Sequence, residues 1–393
     1  MAGTERDVVI VSTGRTAIGR ARKGSFVDAR PDDLLARVVG HVVEEAGIEP
    51  AEIDDVICGS VGLSRENPAR SAALLAGFPE TVPGTTVNRY CASSLQAIRM
   101  AFHAIKAGEG DAYVACGVEH SSGPPQPESE EAPRRPAGYG PHPKFIGKDA
   151  LWQLYLPMGV TAENVAERFD VPRDRMDEFA QQSQERAVRA QKDGVFDREI
   201  VPFTKPDGTV VDTDDGPRPD STLEKLSSLA SSFKEGGKVT AGNSCPLNDG
   251  AAAVLVMSAD KARATGLTPL ARIVATSVSG LDPAVMGVGP VEAVGKVLAR
   301  AGLTIDDIDI VELNEAFAAQ VLPVCEHIGV DPFSEKFNPH GGAIALGHPF
   351  GMTGARIMTT LLNDLRTRDA TLGVETMCVG GGQGMAAVVE RLD

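Results

Sequence analysis

The sequence has no apolar run near the roughly 18 residues of a membrane span. Its longest candidates, near Ala251–Met257, are strand-sized. That argues against a role inside a membrane. There is also no CxxC pair and no Cys/His zinc spacing. Six cysteines stand singly at 58, 91, 116, 245, 325 and 378, and a chain this long needs no disulfide staples. The expectation is free thiols in a cytoplasmic protein, with no metal, each thiol being a small core hydrophobe or a reactive group. Positive charge is in deficit: 38 Lys plus Arg face 54 Asp plus Glu, a net charge of −16. Such a chain is a poor generic partner for nucleic acid or an anionic membrane. An anionic ligand would need a local basic patch or backbone N–H groups. Met1–Asp7 is polar and leads straight into Val8–Val11, and the chain ends Arg391-Leu392-Asp393. Neither end carries a secretory or peroxisomal pattern.

What is present is ordinary globular composition, 42% hydrophobic and 23% charged over 393 residues. Length alone suggests two or three domains at ~150 residues each. Strand-like and helix-like segments alternate, which predicts an α/β fold, and they do so twice. VVGHVVEEAGIEPAEIDDV at 38–56 is matched without a gap by AVGKVLARAGLTIDDIDIV at 293–311. Gly40 meets Gly295, Ala46-Gly47 meets Ala301-Gly302, and Ile53-Asp54 meets Ile308-Asp309. Each copy predicts an amphipathic helix that ends at glycine and feeds a short strand. The order continues in parallel: a first strand (8–12 or 271–276), an Asn-led turn (Asn88 or Asn338), a helix (93–106 or 353–365) and a strand rich in Cys and Gly (113–117 or 373–379). The last strand of the second copy, 385–389, finds its first-copy partner at 251–257 only after a long insertion.

The domain expectation is therefore a first half of residues 1–119 plus 248–268, an inserted loop domain over 120–247 and a second half over 269–393. The halves are expected to pack about a pseudo-two-fold axis, with the insertion as a lid. Within it, Ser121–Pro143 holds seven prolines and the acidic run Glu128–Glu131, and reads as a surface loop. Residues 161–169 and 173–193 read as helices, and 201–223 as irregular.

Four segments carry chemistry. In TVNRYCASSLQA, Cys91 stands where an extended run meets a helix. Free N–H groups and the helix dipole there lower a thiol pKa, so a reactive low-pKa thiolate is expected; a buried core Cys is the alternative. In NPHGGAIALGHPFGMTG, His348 occupies the same repeat position as Cys91. A pseudo-two-fold axis would bring the two turns face to face as a nucleophile and its base; a tight or phosphate-binding turn is the alternative. In CVGGGQG, Cys378 precedes three glycines at a strand end, an acid or base beside exposed N–H groups or a plain structural turn. In NEAFAAQ, Asn314 closes a strand, where its amide could orient a water or donate to an oxyanion, or simply cap a helix.

With these segments in place, the chain resembles the thiolases over almost its whole length, with VNRYCASSLQA, NEAFAAQ, GGAIALGHPFGMTGAR and CVGGGQG in that family's order and spacing. The resemblance implies a layered αβαβα fold of two duplicated halves with an inserted loop domain. It implies an acyltransferase in which Cys91 carries the acyl group and His348 activates it. His348 and a water held by Asn314 would form one oxyanion hole, and the N–H groups of Cys91 and Gly380 a second. Cys378 would move the proton at the acetyl carbon. No metal, redox group or permanently bound cofactor is implied. Coenzyme A enters as a substrate, acyl-CoA and CoA are the partners, and a homodimer is expected, with a homotetramer as the alternative.

The resemblance also places CoA under the insertion, against Met158, Arg218, Lys225, Ser244 and Cys245, with Arg218 and Lys225 as cationic partners for its phosphates. Pro157, where biosynthetic members usually have His, points to the degradative branch, which cleaves a 3-oxoacyl-CoA to acetyl-CoA and a shortened acyl-CoA. Cys245 stands where relatives often have Ser. Ser94 replaces a frequent Gly, a change expected to narrow the pocket. Three rivals remain: an acetoacetyl-CoA thiolase condensing two acetyl-CoA, a non-catalytic acyl-CoA or lipid carrier on the same fold, and a Claisen-type synthase fed by an acyl carrier protein. Against the last stands Cys378, since such synthases typically use paired histidines.

Overall fold

A computed structural model of the chain describes residues 6–63, 67–123, 142–145 and 152–393. Most of the expected proline-rich loop, residues 124–141, lies outside the described residues. The first half runs β1 (Val8–Arg15), β2 (Gly19–Arg20), α1 (Pro31–Ala46), β3 (Asp55–Gly59), α2 (Pro68–Leu75), β4 (Gly84–Val87), α3 (Ser93–Ala107) and β5 (Ala112–His120). Then come α4 (Met158–Arg168), α5 (Arg173–Lys192), the two-residue strands β6 (Phe203–Thr204) and β7 (Val210–Val211), and α6 (Leu223–Ser227). The chain returns through β8 (Asn248–Ser258) and α7 (Ala259–Ala264). The second half follows: β9 (Ala271–Gly280), α8 (Gly289–Ala301), β10 (Ile310–Leu313), α9 (Ala318–Ile328), α10 (Ala343–Leu346), α11 (Thr353–Thr367), β11 (Leu372–Val379) and β12 (Gln383–Arg391).

The duplication is visible in the strand order, β10-β11-β12-β9-β1-β8-β5-β3-β4, with β2 also on β8. Read outward from the centre, β1-β8-β5-β3-β4 and β9-β12-β11-β10 follow one rule. Phe337, bridged in parallel to Val311, stands where β4 stands in the first half. The halves join through a short antiparallel seam, Val9↔Arg272 and Ile10↔Ala271. The matched helices α1 and α8 both end on a left-handed glycine, Gly47 at φ 65° and Gly302 at φ 68°. A positive φ there is cheap only for glycine.

Alternating strand residues face opposite sides, and that alternation builds the layers. On β8, Val254 and Val256 face a central core, while Ala253, Leu255 and Met257 face an outer one. On β12, Met385, Ala387 and Val389 face the same central core, and Ala386 and Val388 face the outer core of the second half. The central core contains α3 and α11, through Leu95, Ile98, Ile357 and Leu361 among others. The outer cores contain α1 and α2 on one side and α8 and α9 on the other. The order is thus helix, sheet, helix, sheet, helix. Cys58, Cys116 and Cys325 are fully buried in the outer cores and act as hydrophobes.

The insertion does not float over the halves. Ala162, Ala166, Phe179 and Ala180, from α4 and α5, belong to the second outer core. Its irregular part is tied to β1 by Arg15, which is fully buried. Arg15 donates to Glu199 at 2.8 Å and to both oxygens of Asp214 at 2.8 and 3.0 Å. Such a pair is costly to break because a buried charge would be left uncompensated.

The helix starts of α3 and α11 meet at the pseudo-two-fold. Ala355 N–H donates to Ser94 Oγ at 2.9 Å. Gly354 lies so close that a Cβ there would stand 2.4 Å from the Leu95 nitrogen. Ser94 is fully buried in this contact, so it joins the two helices and does not narrow the pocket as expected. Gly295, its neighbourhood empty within 4 Å, has no such duty. Gly295→Ala should therefore stabilise the fold by about 0.5–1 kcal/mol, through reduced freedom of the unfolded chain. Gly354→Ala should destabilise it by about 1–3 kcal/mol through overpacking. Urea unfolding midpoints measure both, and the reverse order would contradict this account of the helix contact.

Candidate active site

Cys91 follows a turn that its neighbours lock. Tyr90 adopts a left-handed φ of 46°, and its N–H donates to Asn88 Oδ1 at 2.8 Å. Ser93 Oγ accepts from Arg89 N–H at 2.9 Å and donates to Tyr90 O at 2.6 Å. These bonds stop the strand and deliver Cys91 to the start of α3, 9% exposed. The backbone N–H groups of Gly380 and of Cys91 itself both reach its sulfur and favour the thiolate. Burial outweighs them and, with a smaller contribution from the Glu119 carboxylate, pushes the thiol up to about 11. The expected low-pKa thiolate is thus corrected: the helix-start N–H groups are present, but the site is too dry for them to win.

His348 is buried in the turn before α11, whose start meets the start of α3. Its N–H donates to Asn248 Oδ1 at 3.0 Å, and Gly347, at φ 119°, lies so close to Asn248 that a Cβ would clash with that amide. The Thr353 hydroxyl donates to Pro349 O at 2.8 Å. Its oxygen is therefore left to accept from His348 Nδ1–H, 2.6 Å away. That assigns the proton to Nδ1 and a lone pair to Nε2. Asn314 Nδ2 faces this lone pair at 3.3 Å. Burial, helped by Arg356, pushes the imidazole down to about 3. At neutral pH the site therefore holds a neutral thiol and a neutral imidazole.

Asn314 is fixed at the end of β10 by its N–H to Thr376 O, 3.0 Å. Asn338, the Asn-led turn of the second half, clamps the residue before it. Its amide accepts from Leu313 N–H and donates to Leu313 O, both at 2.9 Å. The Oδ1 of Asn314 is buried with no hydrogen-bond partner among the described residues. A buried acceptor of this kind normally holds a water.

Cys378 is 2% exposed at the end of β11, and its thiol donates to Gln320 Oε1 at 3.5 Å. Burial comes first in raising this thiol, and the electrostatic influence of Cys91 and Cys245 adds to it. Cys245 is raised in the same way, by burial first and then by the neighbouring Cys91 thiol. Three thiols thus act on one another at this site, two from the sequence assignment of chemistry and one from its assignment of CoA contacts.

The CoA assignments separate. Arg218, Lys225 and Ser244 line one cleft of about 280 Å³; Met158 and Cys245 do not. Met158 packs against the second outer core, and Cys245 N–H is tied to Ala316 O at 2.9 Å beside the thiols. Sequence reading missed Arg20, which enters the cleft from β2 and lowers its own basicity through burial and the facing Arg218. Lys225 is exposed and paired with Asp220 at 2.7 Å. A larger groove of about 850 Å³ along α1 holds none of the chemical residues. Thr353, Asn248 and Gln320 were also missed as positioning groups, although Thr353 and Gln320 lie inside or at the end of motifs already singled out. Among the described residues no group of three or more His, Cys, Asp or Glu could hold a metal ion, and no helix is long and apolar enough to cross a membrane.

Two expected outcomes follow from the neutral pair. The alkylation rate of Cys91 by iodoacetamide should still be climbing at pH 9; a plateau below pH 8 would contradict a thiol held up by burial. For His348, the folded pKa of about 3 lies below the ordinary 6.5. The unfolded chain then binds the proton more readily, so this group's stabilising share is complete above pH 6.5 and is lost as pH falls toward 3. His348→Asn should flatten the fall of Tm between pH 6.5 and 4.5, and an unchanged slope would contradict the burial of a neutral ring.

Comparison with known proteins agrees with this geometry. Residues 8–260 match the family described as Thiolase, N-terminal domain, and residues 267–391 match Thiolase, C-terminal domain. A 3-ketoacyl-CoA thiolase of Saccharophagus degradans is 46% identical over 98% of this chain and 99% of its own. An acetyl-CoA acetyltransferase of Cupriavidus necator is also 46% identical, over 98% and 99%. Among solved structures, human mitochondrial 3-ketoacyl-CoA thiolase in complex with CoA superposes with a TM-score of 0.88 at 37% identity, covering 98% of both chains. Two family domains in order, a duplicated layered fold and relatives 46% identical over nearly the whole chain lead to one assignment: the chain belongs to the thiolases, an acyltransferase family.

Proposed function

We propose that the chain is a degradative thiolase, cleaving a 3-oxoacyl-CoA with CoA into acetyl-CoA and an acyl-CoA shortened by that unit. The observation that carries the reading is the sulfur of Cys91 met by the N–H groups of Cys91 and Gly380, with a buried neutral His348 whose Nε2 lone pair, faced by the Asn314 amide, is the ring site left to take a proton. In this reading Cys91 gives its proton to His348 Nε2 as sulfur attacks the 3-keto carbon. A thiol and an imidazole that are both neutral beforehand suit a transfer that accompanies the attack. The bond between carbons 2 and 3 breaks, and the acetyl-CoA enolate takes the Cys378 proton. CoA then gives its thiol proton to Cys378, attacks the acyl-Cys91 thioester, and Cys91 leaves with the proton held on His348.

Oxyanion stabilisation is divided between two places. The N–H groups of Cys91 and Gly380 serve one carbonyl oxygen. A water on the unpartnered Asn314 Oδ1 would direct its second hydrogen, with protonated His348, to the other. Donors fixed before charge develops need no reorganisation at the moment of reaction. Coenzyme A is a substrate here, and no permanently bound cofactor is required. Pro157, at the N-cap of α4, supports the degradative branch. We further propose a cytoplasmic homodimer. Its support is the edge strand β4 and the neighbouring exposed Leu74 and Leu75 on α2, 47% and 56% exposed. Rates of CoA-dependent cleavage across short and long 3-oxoacyl-CoA test the branch, and activity confined to acetoacetyl-CoA would favour the condensing alternative.

Cys378→Ser should keep acetyl exchange between CoA species through Cys91 but lose carbon–carbon bond chemistry by about 10²-fold, because a hydroxyl does not shuttle that proton near neutral pH. Equal loss of both would overturn the division of labour between the two thiols.

The cleft with Arg20 and Arg218 suits the diphosphate of CoA, since a dianion relieves the repulsion of two facing guanidiniums. Arg218→Ala should raise the KM for CoA with kcat near normal, the mark of lost uniform binding. Lys225→Ala should do less, because Asp220 already holds that exposed charge. An unchanged KM for CoA in Arg218→Ala at low and moderate salt would move the cationic site elsewhere.

A further inference from the structure

Glu119 is a buried carboxylate with no part in the steps above. It closes β5, 4% exposed. Its Oε1 accepts from Gly62 N–H at 2.8 Å. Its Oε2 accepts from Val61 N–H and Gly351 N–H, both at 3.0 Å. Two of these donors follow β3 in the first half. The third lies in the turn between His348 and Thr353, the two residues that set the imidazole.

Gly351 is seated deeply. A Cβ on it would stand 2.3 Å from Val118 O and 2.7 Å from Gly59 O. A Cβ on Gly117 would stand 2.0 Å from Gly351 O. The His348 turn is therefore pressed onto the ends of β3 and β5, and Glu119 supplies the hydrogen-bonded anchor in the middle of that contact. Asn248, on β8, holds one end of the turn, and Thr353 holds the other. The first half thus aims a residue that belongs to the second.

We propose that Glu119 is a positioning residue for the reaction: its carboxylate, held by three backbone N–H groups, ties the His348 turn to the first half. The inference rests on the thiolysis reading above. Glu119 also acts on the Cys91 thiol and disfavours its ionisation, while burial raises the carboxyl's own pKa against its three N–H donors. The titratable groups Cys245 and Cys378 also face Cys91, and Asp249 on β8 faces Glu119 itself. A glutamine cannot substitute. Its single carbonyl oxygen can serve Gly62 or the Val61 and Gly351 pair, and its NH₂ must face the other donors.

The test uses the full chain with Glu119→Gln and Glu119→Asp, reading thiolysis kinetics and the pH dependence of iodoacetamide labelling at Cys91. Glu119→Gln should lower kcat by about 10-fold or more, as misaimed catalytic groups do, with the KM for CoA little changed. Its labelling midpoint should fall by about half a pH unit or more, because a neighbouring negative charge is gone. Glu119→Asp keeps the charge and shortens the reach, so it should lose kcat while its midpoint stays near that of the wild type. Glu119→Gln with wild-type kcat and midpoint would overturn the proposal. So would a loss of kcat in both variants with neither midpoint moved, which marks a merely structural role. If Glu119→Gln is recovered only unfolded, Glu119→Asp decides: lowered kcat at a wild-type Tm supports the proposal, and wild-type kcat, or kcat and Tm falling together, overturns it. Labelling needs no 3-oxoacyl-CoA. A wild type that labels normally yet cleaves no 3-oxoacyl-CoA would sink the thiolysis reading and leave the midpoint comparison standing.

Discussion

The close approach of two helix starts governs this molecule. Ala355 N–H reaches Ser94 Oγ, and Gly354 lies against the Leu95 backbone. That contact is possible only because position 354 has no side chain. It fixes where α3 and α11 begin, and therefore where the turns before them end. Cys91 stands two residues before α3, and His348 five before α11. The layered core on either side, built from alternating residues of β8, β5, β11 and β12, keeps the two helices from sliding.

Dryness is the second consequence. The same packing that brings the turns together removes water from them, and burial is the main cause of every large shift at the site. It raises the Cys91 and Cys378 thiols and lowers His348. An exposed thiol at a helix start has its pKa lowered; this buried one stays a thiol, and the buried imidazole stays neutral. The effect continues below the site, where Glu312 and Glu375 lie opposite each other on β10 and β11. Burial pushes both carboxyls toward the protonated form. In such an interior the protons remain on their groups until a substrate supplies charge to stabilise.

The insertion adds asymmetry to a symmetric frame. It is anchored by Arg15 to β1 and by α4 and α5 to the second outer core. Between these anchors it brings Arg218 beside Arg20, a residue of the first half. A chain of net charge −16 thereby presents two guanidiniums at one cleft. Overall charge does not forbid an anionic ligand when the local field is built this way.

Much of this was legible in the residue order. The gap-free match of 38–56 with 293–311 was enough to predict two halves, because a helix that ends on glycine and feeds a strand has a local cause in each copy. The four motifs pointed to Cys91, His348, Asn314, Cys378 and Gly380 as a candidate chemical set, since residue type limits what each can do. Tertiary structure alone decided how the set behaves. The state of Cys91 depends on burial and on Glu119, contributed by a strand 28 residues further on. The tautomer of His348 depends on Thr353, whose hydroxyl is committed to Pro349. Arg20 faces Arg218 only because β2 and the insertion pack together. Ser94 faces a helix and not a pocket for the same reason. Desolvation and pairing are properties of a site's surroundings, and those surroundings come from segments far apart in the chain; residue type and local pattern do not encode them.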